Sequence, residues 1–178
     1  MNLFFLLYGH IRSQIVKFKS RLFKKYQTWL YTKITARCGR GLNINGKIKL
    51  TSNTYLGNNV NFNGRIILGF GKVEIGDNFH SGAGCKFITT FHNYEGGRIP
   101  YDSTNIIKNI SVKENVWLGD DVIVLGGVTI VEGAIIQAGS VVVSDIPPFA
   151  IAGGHPAKSF KYRDIEHYND LKQKKMFH

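Results

Sequence analysis

From Val112 to Pro147 the chain can be cut every six residues into VKENVW, LGDDVI, VLGGVT, IVEGAI, IQAGSV and VVSDIP. Each block opens on Val, Leu or Ile, and its fifth residue is small or β-branched: Val116, Val122, Val128, Ala134, Ser140, Ile146. Upstream, the same spacing links Ile44, Leu50, Leu56, Phe62 and Leu68, and, after one extra residue near Gly69 to Lys72, Ile75, Ser81 and Phe87. A stretch from about 88 to 111 breaks it before Val112, Leu118, Val124, Ile130, Ile136 and Val142 complete it. A period of six matches neither the helical repeat of about 3.6 nor the strict alternation of a hairpin meander. It predicts an all-β solenoid, a parallel β-helix in which each hexapeptide forms one side of a triangular coil of about eighteen residues. The openers point inward and stack from coil to coil. The small fifth residues fall near the corners, where space is short. Glycine at the second position, as at Gly57, Gly76 and Gly119, is expected to relieve backbone strain at the turn.

A different pattern precedes the repeat. Over about 10–34, Ile11, Ile15, Phe18, Leu22, Tyr26 and Trp29 recur at three-four spacing, the signature of a helix. Arg12, Lys17, Lys19, Arg21, Lys24 and Lys25 fill much of its remaining surface. Two readings stay open: a helix that packs on its own domain or at a subunit contact, and a basic amphipathic helix lying on a membrane face. The expected organisation is a basic helical segment (1–40), a β-helix (41–155) with an external loop at about 88–111, and a basic, partly helical tail (156–178).

Composition narrows the setting. The 178 residues suit one domain with an appended segment. Cys38 and Cys85 alone make no disulfide framework and point to a reducing compartment, with the cytoplasm as the expected location. The apolar run from Leu3 to Tyr8 is too short to span a bilayer and lacks the flanks of a signal peptide. The net charge of +11 is unevenly placed, because the first acidic residue in the chain is Glu74. Such an acid-free, basic front favours anionic lipid, anionic glycan or nucleic acid. No nucleic-acid recognition motif accompanies it, so nucleic acid is not an expected partner.

Stacked flat faces offer no deep pocket, so chemistry belongs to departures from the repeat or to seams between neighbouring prisms. The largest departure runs from Phe87 to Ser111, and His92 stands just past its start. A lone histidine is more often structural or solvated than catalytic. A zinc enzyme on a β-helix needs three converging histidines. Only His80 and His92 lie in the right region, so no metal is expected.

Several segments resemble, in order and spacing, the hexapeptide-repeat acyltransferases. The branch is that of maltose and galactoside O-acetyltransferases and their relatives acting on bacterial surface polysaccharides. These are Asn61 to Asn63 (NFN), Val73 to Asn78 (VEIGDN), Thr89 to His92 (TTFH) and Asn115 to Gly119 (NVWLG). Further on come Gly126 to Ile130 (GGVTI), Ala138 to Ser140 (AGS), Asp145 to Pro148 (DIPP) and Gly154 to Lys158 (GHPAK). The resemblance covers about 44–163. It implies a left-handed β-helix, a homotrimer with active sites between subunits, and acetyl-CoA as co-substrate.

Residue by residue, the resemblance implies His92 as catalytic base. A sugar hydroxyl is a poor nucleophile and needs a base to take its proton as it attacks a thioester, and neutral imidazole suits that task near neutral pH. Without a Ser-His-Asp or Cys-His signature, direct transfer in a ternary complex is the simpler expectation. Asn61 is expected at the acceptor hydroxyl and Trp117 in the site lining. The bland readings are a corner asparagine and an exterior packing residue. Gly119, Gly127, Ala138 and Gly139 are expected to line a narrow groove for the pantetheine arm, and Lys158 and Lys161 to meet the coenzyme A phosphates. Two positions depart from the family pattern. Ser144 stands where lysine is common before DIPP, and Asn93 where maltose-type enzymes carry proline, implying a different loop path. The expected acceptor is a surface polysaccharide or its lipid-linked precursor, with peripheral contact to anionic membrane lipid. An amino sugar, an antibiotic hydroxyl and a non-catalytic scaffold are the rivals.

Overall fold

The computed structural model describes residues 3–64 and 67–178, with side chains from residue 10 onward except 65–68. The opener Leu68 and the apolar run from Leu3 to Tyr8 therefore lie outside the described side chains.

Helix α1 (Leu3–Ile34) leads into the coils and starts earlier than the three-four pattern indicates. The first coil holds β1 (Arg37–Cys38) and β2 (Asn43–Asn45), and the second β3 (Thr54–Leu56), β4 (Asn61–Asn63) and β5 (Ile67–Leu68). The third holds β6 (Val73–Ile75), β7 (His80–Ser81) and β8 (Lys86–Ile88). An excursion follows, made of β9 (Thr90–His92) and β10 (Asn105–Ile107). Coiling resumes with β11 (Ile110–Val112), β12 (Trp117–Leu118) and β13 (Ile123–Leu125), then β14 (Thr129–Ile130), β15 (Ile135–Ile136) and β16 (Val141–Val142). Strands β17 (Ala150–Gly154) and β18 (Ala157–Tyr162) and helix α2 (Ile165–Gln173) close the chain.

Stacking makes three sheets, in the orders β1-β3-β6-β11-β14, β2-β4-β7-β12-β15-β17-β18 and β5-β8-β13-β16. All neighbours are parallel except β17 and β18, which form an antiparallel hairpin at the open end. The repeat can be read from side-chain bonds between equivalent positions. Asn43 and Asn61 are 18 residues apart. Asn59 and Asn78 are 19 apart, across the extra residue, and Asn78 and Asn115 are 37 apart, across the excursion.

Every opener whose side chain is described is buried, from Ile44 to Val142, including Ser81. The fifth positions lie just after the corner turns, as Val116 does after Glu114 and Asn115. They too are buried, among them Val60, Phe79, Cys85 and Val116. Phe79 meets Phe62 edge-on with centroids 5.7 Å apart. Opener and fifth residue thus fill the prism together.

The second-position glycines have a different cause from the one expected. A Cβ on Gly57, Gly76 or Gly119 would come within 2.7, 2.6 or 2.5 Å of a backbone nitrogen of the next coil. Close approach between coils, not turn strain, excludes a side chain there. The left-handed residues sit two positions on, at Asn59, Asn78 and Asp121, with φ of 54°, 55° and 55°.

Among the described residues no helix is long and apolar enough to cross a membrane. Nor, among those residues, does any group of three or more His, Cys, Asp and Glu stand ready to hold a metal ion.

Candidate active site

The excursion is a hairpin. Strand β9 pairs antiparallel with β10, and His92 faces Asn105 in the register. Asn93 ties its base. The Asn93 amide nitrogen donates to the Thr104 carbonyl at 3.2 Å and its Nδ2 to Thr104 Oγ1 at 3.1 Å. In turn Asn93 Oδ1 accepts from the Glu95 N–H at 3.2 Å. A proline at 93 would lack the N–H that closes this ladder. Deeper in the loop, Asp102 accepts from the Thr104 hydroxyl and N–H and from the Gly97 N–H, and these bonds hold its carboxyl below the usual value.

His92 emerges exposed at the end of β9. The ring of Tyr101 lies parallel to its imidazole, 7° off plane with centroids 3.9 Å apart. Beside the pair opens a cleft of ≈ 810 Å³ lined by His92, Thr90, Tyr94, Asn105, Lys108 and Leu125. The cleft combines an accessible base, an aromatic wall and one cation. It can take a proton from a hydroxyl presented to His92.

The other expected acceptor residues lie elsewhere. Asn61, His80, Trp117 and Ile135 share one row across the second sheet, through the pairs Asn61↔His80, Trp117↔His80 and Trp117↔Ile135. His92 rises instead from the edge of the third sheet, just after β8. One chain does not bring His92 together with Asn61 and Trp117.

Asn61 is already engaged. Its Oδ1 accepts from Asn43 Nδ2 at 2.8 Å, and its Nδ2 donates to the Asn59 carbonyl at 3.3 Å. Between Asn61 and Trp117 sits His80, which in the sequence stands out only as one of the three histidines a zinc site needs. Asn63 Nδ2 approaches its Nε2 at 2.9 Å, while its Nδ1 is buried without a partner. Burial, and then the charge of nearby His178, lower the His80 pKa and favour the neutral ring. The signal was available: His80 stands one coil after Asn61, once the extra residue is counted.

The C-terminal segment folds back over this row. His178 approaches His80 with ring centroids 5.6 Å apart, and its carbonyl accepts from Asn59 Nδ2 at 2.7 Å. A second cleft, of ≈ 410 Å³, runs between them, lined by His80, Asn115, Trp117, Tyr168, Lys172 and His178. Helix α2 is seated there by Tyr168, whose hydroxyl bridges Asn115 Nδ2 at 2.7 Å and Glu132 Oε1 at 2.9 Å. Lys172 pairs with the same carboxylate.

Of the expected groove residues, Gly119, Ala138 and Gly139 share one corner stack. A Cβ on Gly119 would strike the Ala138 nitrogen, and the Gly139 N–H donates to the Asp120 carbonyl at 2.8 Å. Gly127 sits at the other edge of the third sheet, near Lys108. Lys158 and Lys161 both lie exposed on β18. A bulge between Ile151 and Ala152 pairs them with Gly153 and Ile151. Those partners face outward on either side of buried Ala152, so both lysines reach the same outer surface.

A strand stack with this excursion and these corner glycines is a hexapeptide-repeat coil, and the solved structures it resembles include hexapeptide-repeat acetyltransferases. A galactoside acetyltransferase in complex with coenzyme A superposes with a TM-score of 0.66 at 27% identity, over 77% of this chain and 70% of that one. A maltose O-acetyltransferase from Clostridium difficile 630 does so at 0.62 and 27%, over 82% and 87%. Among curated relatives, a Schizosaccharomyces pombe protein of inferred acetyltransferase activity is 39% identical over 89 residues, 50% of this chain and 42% of its own length. A chloramphenicol acetyltransferase from Agrobacterium fabrum is 36% identical over 76 residues, 43% and 34% of the two chains. The chain thus spans under half the length of the curated relatives it matches. No protein-family model matches it.

Proposed function

We propose that the chain is an acetyl-CoA-dependent O-acetyltransferase acting on a sugar hydroxyl, in a surface polysaccharide or its lipid-linked precursor. The observation that carries this reading is His92, placed accessible at the head of the one long excursion from the coil and walled by Tyr101 above an open cleft. The likeness to galactoside and maltose acetyltransferases supports the acetyl donor and the sugar class. The coils are left-handed in this reading.

His92 takes the acceptor proton as the hydroxyl oxygen attacks the thioester carbonyl. The tetrahedral oxyanion collapses, the C–S bond breaks, and the proton passes from the imidazolium to the departing thiolate. Three chains assemble so that the His92 hairpin of one prism meets the Asn61–His80–Trp117 row of the next. Separation of these groups within one chain is the reason to place the site between chains. Ile123, Leu125 and Val143 stand half-buried or exposed on the outside of the third sheet, an apolar surface suited to such a seam. The corner of Gly119, Ala138 and Gly139 gives the pantetheine arm a passage free of bulky side chains, and Gly127 widens the opposite edge. Lys158 and Lys161 face outward together, as a phosphate group requires. The enzyme works in the cytoplasm.

The test is thiol release from acetyl-CoA across a panel of sugars, amino sugars, glycan precursors and chloramphenicol, for the native chain and His92→Ala. Loss of roughly 10²–10⁴-fold on His92→Ala, the usual worth of a general base, is expected with a sugar acceptor. Turnover of chloramphenicol alone moves the acceptor to an antibiotic hydroxyl, the reading that the Agrobacterium relative favours. A chain that fails to bind acetyl-CoA is a scaffold.

A further inference from the structure

Helix α1 meets the coils only near its end, and from residue 10 to Phe23 every side chain is exposed, Val16 and Phe23 included. An amphipathic helix normally turns its apolar stripe to the core. Here the seat is made by Gln27, 5% exposed, and by Tyr31, which packs against the core cluster and donates its hydroxyl to the Ile48 carbonyl at 2.6 Å. The apolar stripe points away. Ile11, Ile15, Phe18, Leu22, Tyr26 and Trp29 are exposed by 50, 49, 63, 52, 55 and 58%. At about 100° of turn per residue, these six positions cluster on one line, and Gln27 and Tyr31 fall about half a turn from it.

Charge singles out what covers the stripe. Arg12 and Lys19 border one edge of it, and Arg21 and Lys25 the other. Nowhere in α1 is there an Asp or Glu. A second copy laid against the stripe would bring two rows of like charge together with no carboxylate to pair them. An anionic surface meets both features at once. The apolar side chains enter the acyl boundary, and the flanking lysines and arginines reach the headgroups with their stems still on the apolar side. Tyr26 and Trp29, with ring centroids 6.2 Å apart, supply amphipathic rings of the kind that favour the headgroup level. Spanning is not the mode, since no described helix is long and apolar enough to cross a bilayer.

We infer that α1 docks the chain on an anionic lipid bilayer, lying in the interface with the Ile11-to-Trp29 stripe inserted and the basic edges on the headgroups. The inference does not depend on the acetyl-transfer reading. Where both hold, docking presents the coils to a membrane-bound acceptor.

The experiment is flotation of the full chain with phosphatidylcholine vesicles, with and without phosphatidylglycerol, at low and high salt. Two variants accompany it. Phe18→Ser/Leu22→Ser/Trp29→Ser removes the stripe, and Arg12→Gln/Lys19→Gln/Arg21→Gln/Lys25→Gln removes the edges and leaves the stripe intact. The native chain is expected to float with the anionic vesicles at low salt and to stay behind with neutral ones. High salt weakens its binding. Both variants lose flotation while keeping the native solution mass and the native response to acetyl-CoA. No flotation of the native chain at low salt overturns the inference. So does equal flotation of native chain and stripe variant. A stripe variant that falls to a smaller assembly, with vesicle binding unchanged, gives the stripe to a second copy instead.

Discussion

Tyr101 lies flat on His92, with ring centroids 3.9 Å apart and planes 7° from parallel. They stand nine positions apart in the chain, and the β9–β10 hairpin brings them together. A parallel ring on one face leaves the imidazole edge as its open approach and holds the ring in one orientation. Such pairs contribute about 0.5–1.5 kcal/mol beyond the area they bury. If that energy is used to orient the base, Tyr101→Ala lowers the turnover number roughly two- to tenfold. Acetyl-CoA binding stays unchanged. Tyr101→Phe keeps the ring and is expected to keep turnover. Equal losses from Ala and Phe would assign the role to the hydroxyl and remove the stacking argument.

Asn59, Asn78 and Asn115 form a ladder at one corner of the prism. Asn59 Nδ2 donates to Asn78 Oδ1 at 3.1 Å and Asn78 Nδ2 to Asn115 Oδ1 at 2.9 Å. Each holds a left-handed φ that asparagine tolerates better than most residues. Asn78→Ala loses both the conformational fit, about 1–2 kcal/mol, and two hydrogen bonds of about 0.5–1.5 kcal/mol each. Asn78→Gly loses only the bonds. Urea unfolding should therefore rank native above Gly above Ala. Identical midpoints for the two variants would mean that the corner carries no backbone strain.

The coil was legible in the chain because its interior is written at every sixth residue. Each opener has to be buried in the same direction, so Leu118 or Ile136 announces its environment without reference to anything distant. The break at about 88–111 was legible for the same reason, as an interruption of that demand. Its internal form was not. The pairing of Asn105 with His92 and the stacking of Tyr101 depend on a hairpin whose turn, from Asn93 to Thr104, has no regular pattern. Gly119 shows a subtler limit. Its position in the hexapeptide is visible, but its cause is the Ala138 nitrogen of the next coil, which no single repeat contains. The split between the His92 cleft and the Asn61–Trp117 row was equally hidden, since sequence order does not say which sheet a departure leaves from. Helix α1 read clearly as amphipathic, yet only the structure shows that Gln27 and Tyr31 seat it and that its apolar stripe is left exposed.

Glu132 links α2 to the coils, and its ionisation should govern that contact. Burial by itself raises its carboxyl, but hydrogen bonds from Lys172 and Tyr168 outweigh burial and leave the pKa below the ordinary 4.5. A carboxyl with a depressed folded value contributes stability above its unfolded pKa and loses it as pH falls through the folded one. The seat of α2 should hold at neutral pH and weaken progressively as the solution is acidified from about the ordinary glutamate value downward. Amide exchange along Ile165–Gln173 measures this directly, because local opening reports on one element without unfolding the prism. Faster exchange is expected in the native chain as pH drops through that window, after correction for the intrinsic pH dependence. Glu132→Gln, which keeps the shape and removes the titration, should show weaker protection at neutral pH and a flat profile. If the native profile is as flat as that of the variant, Lys172 and Tyr168 seat the helix without help from the charge on Glu132.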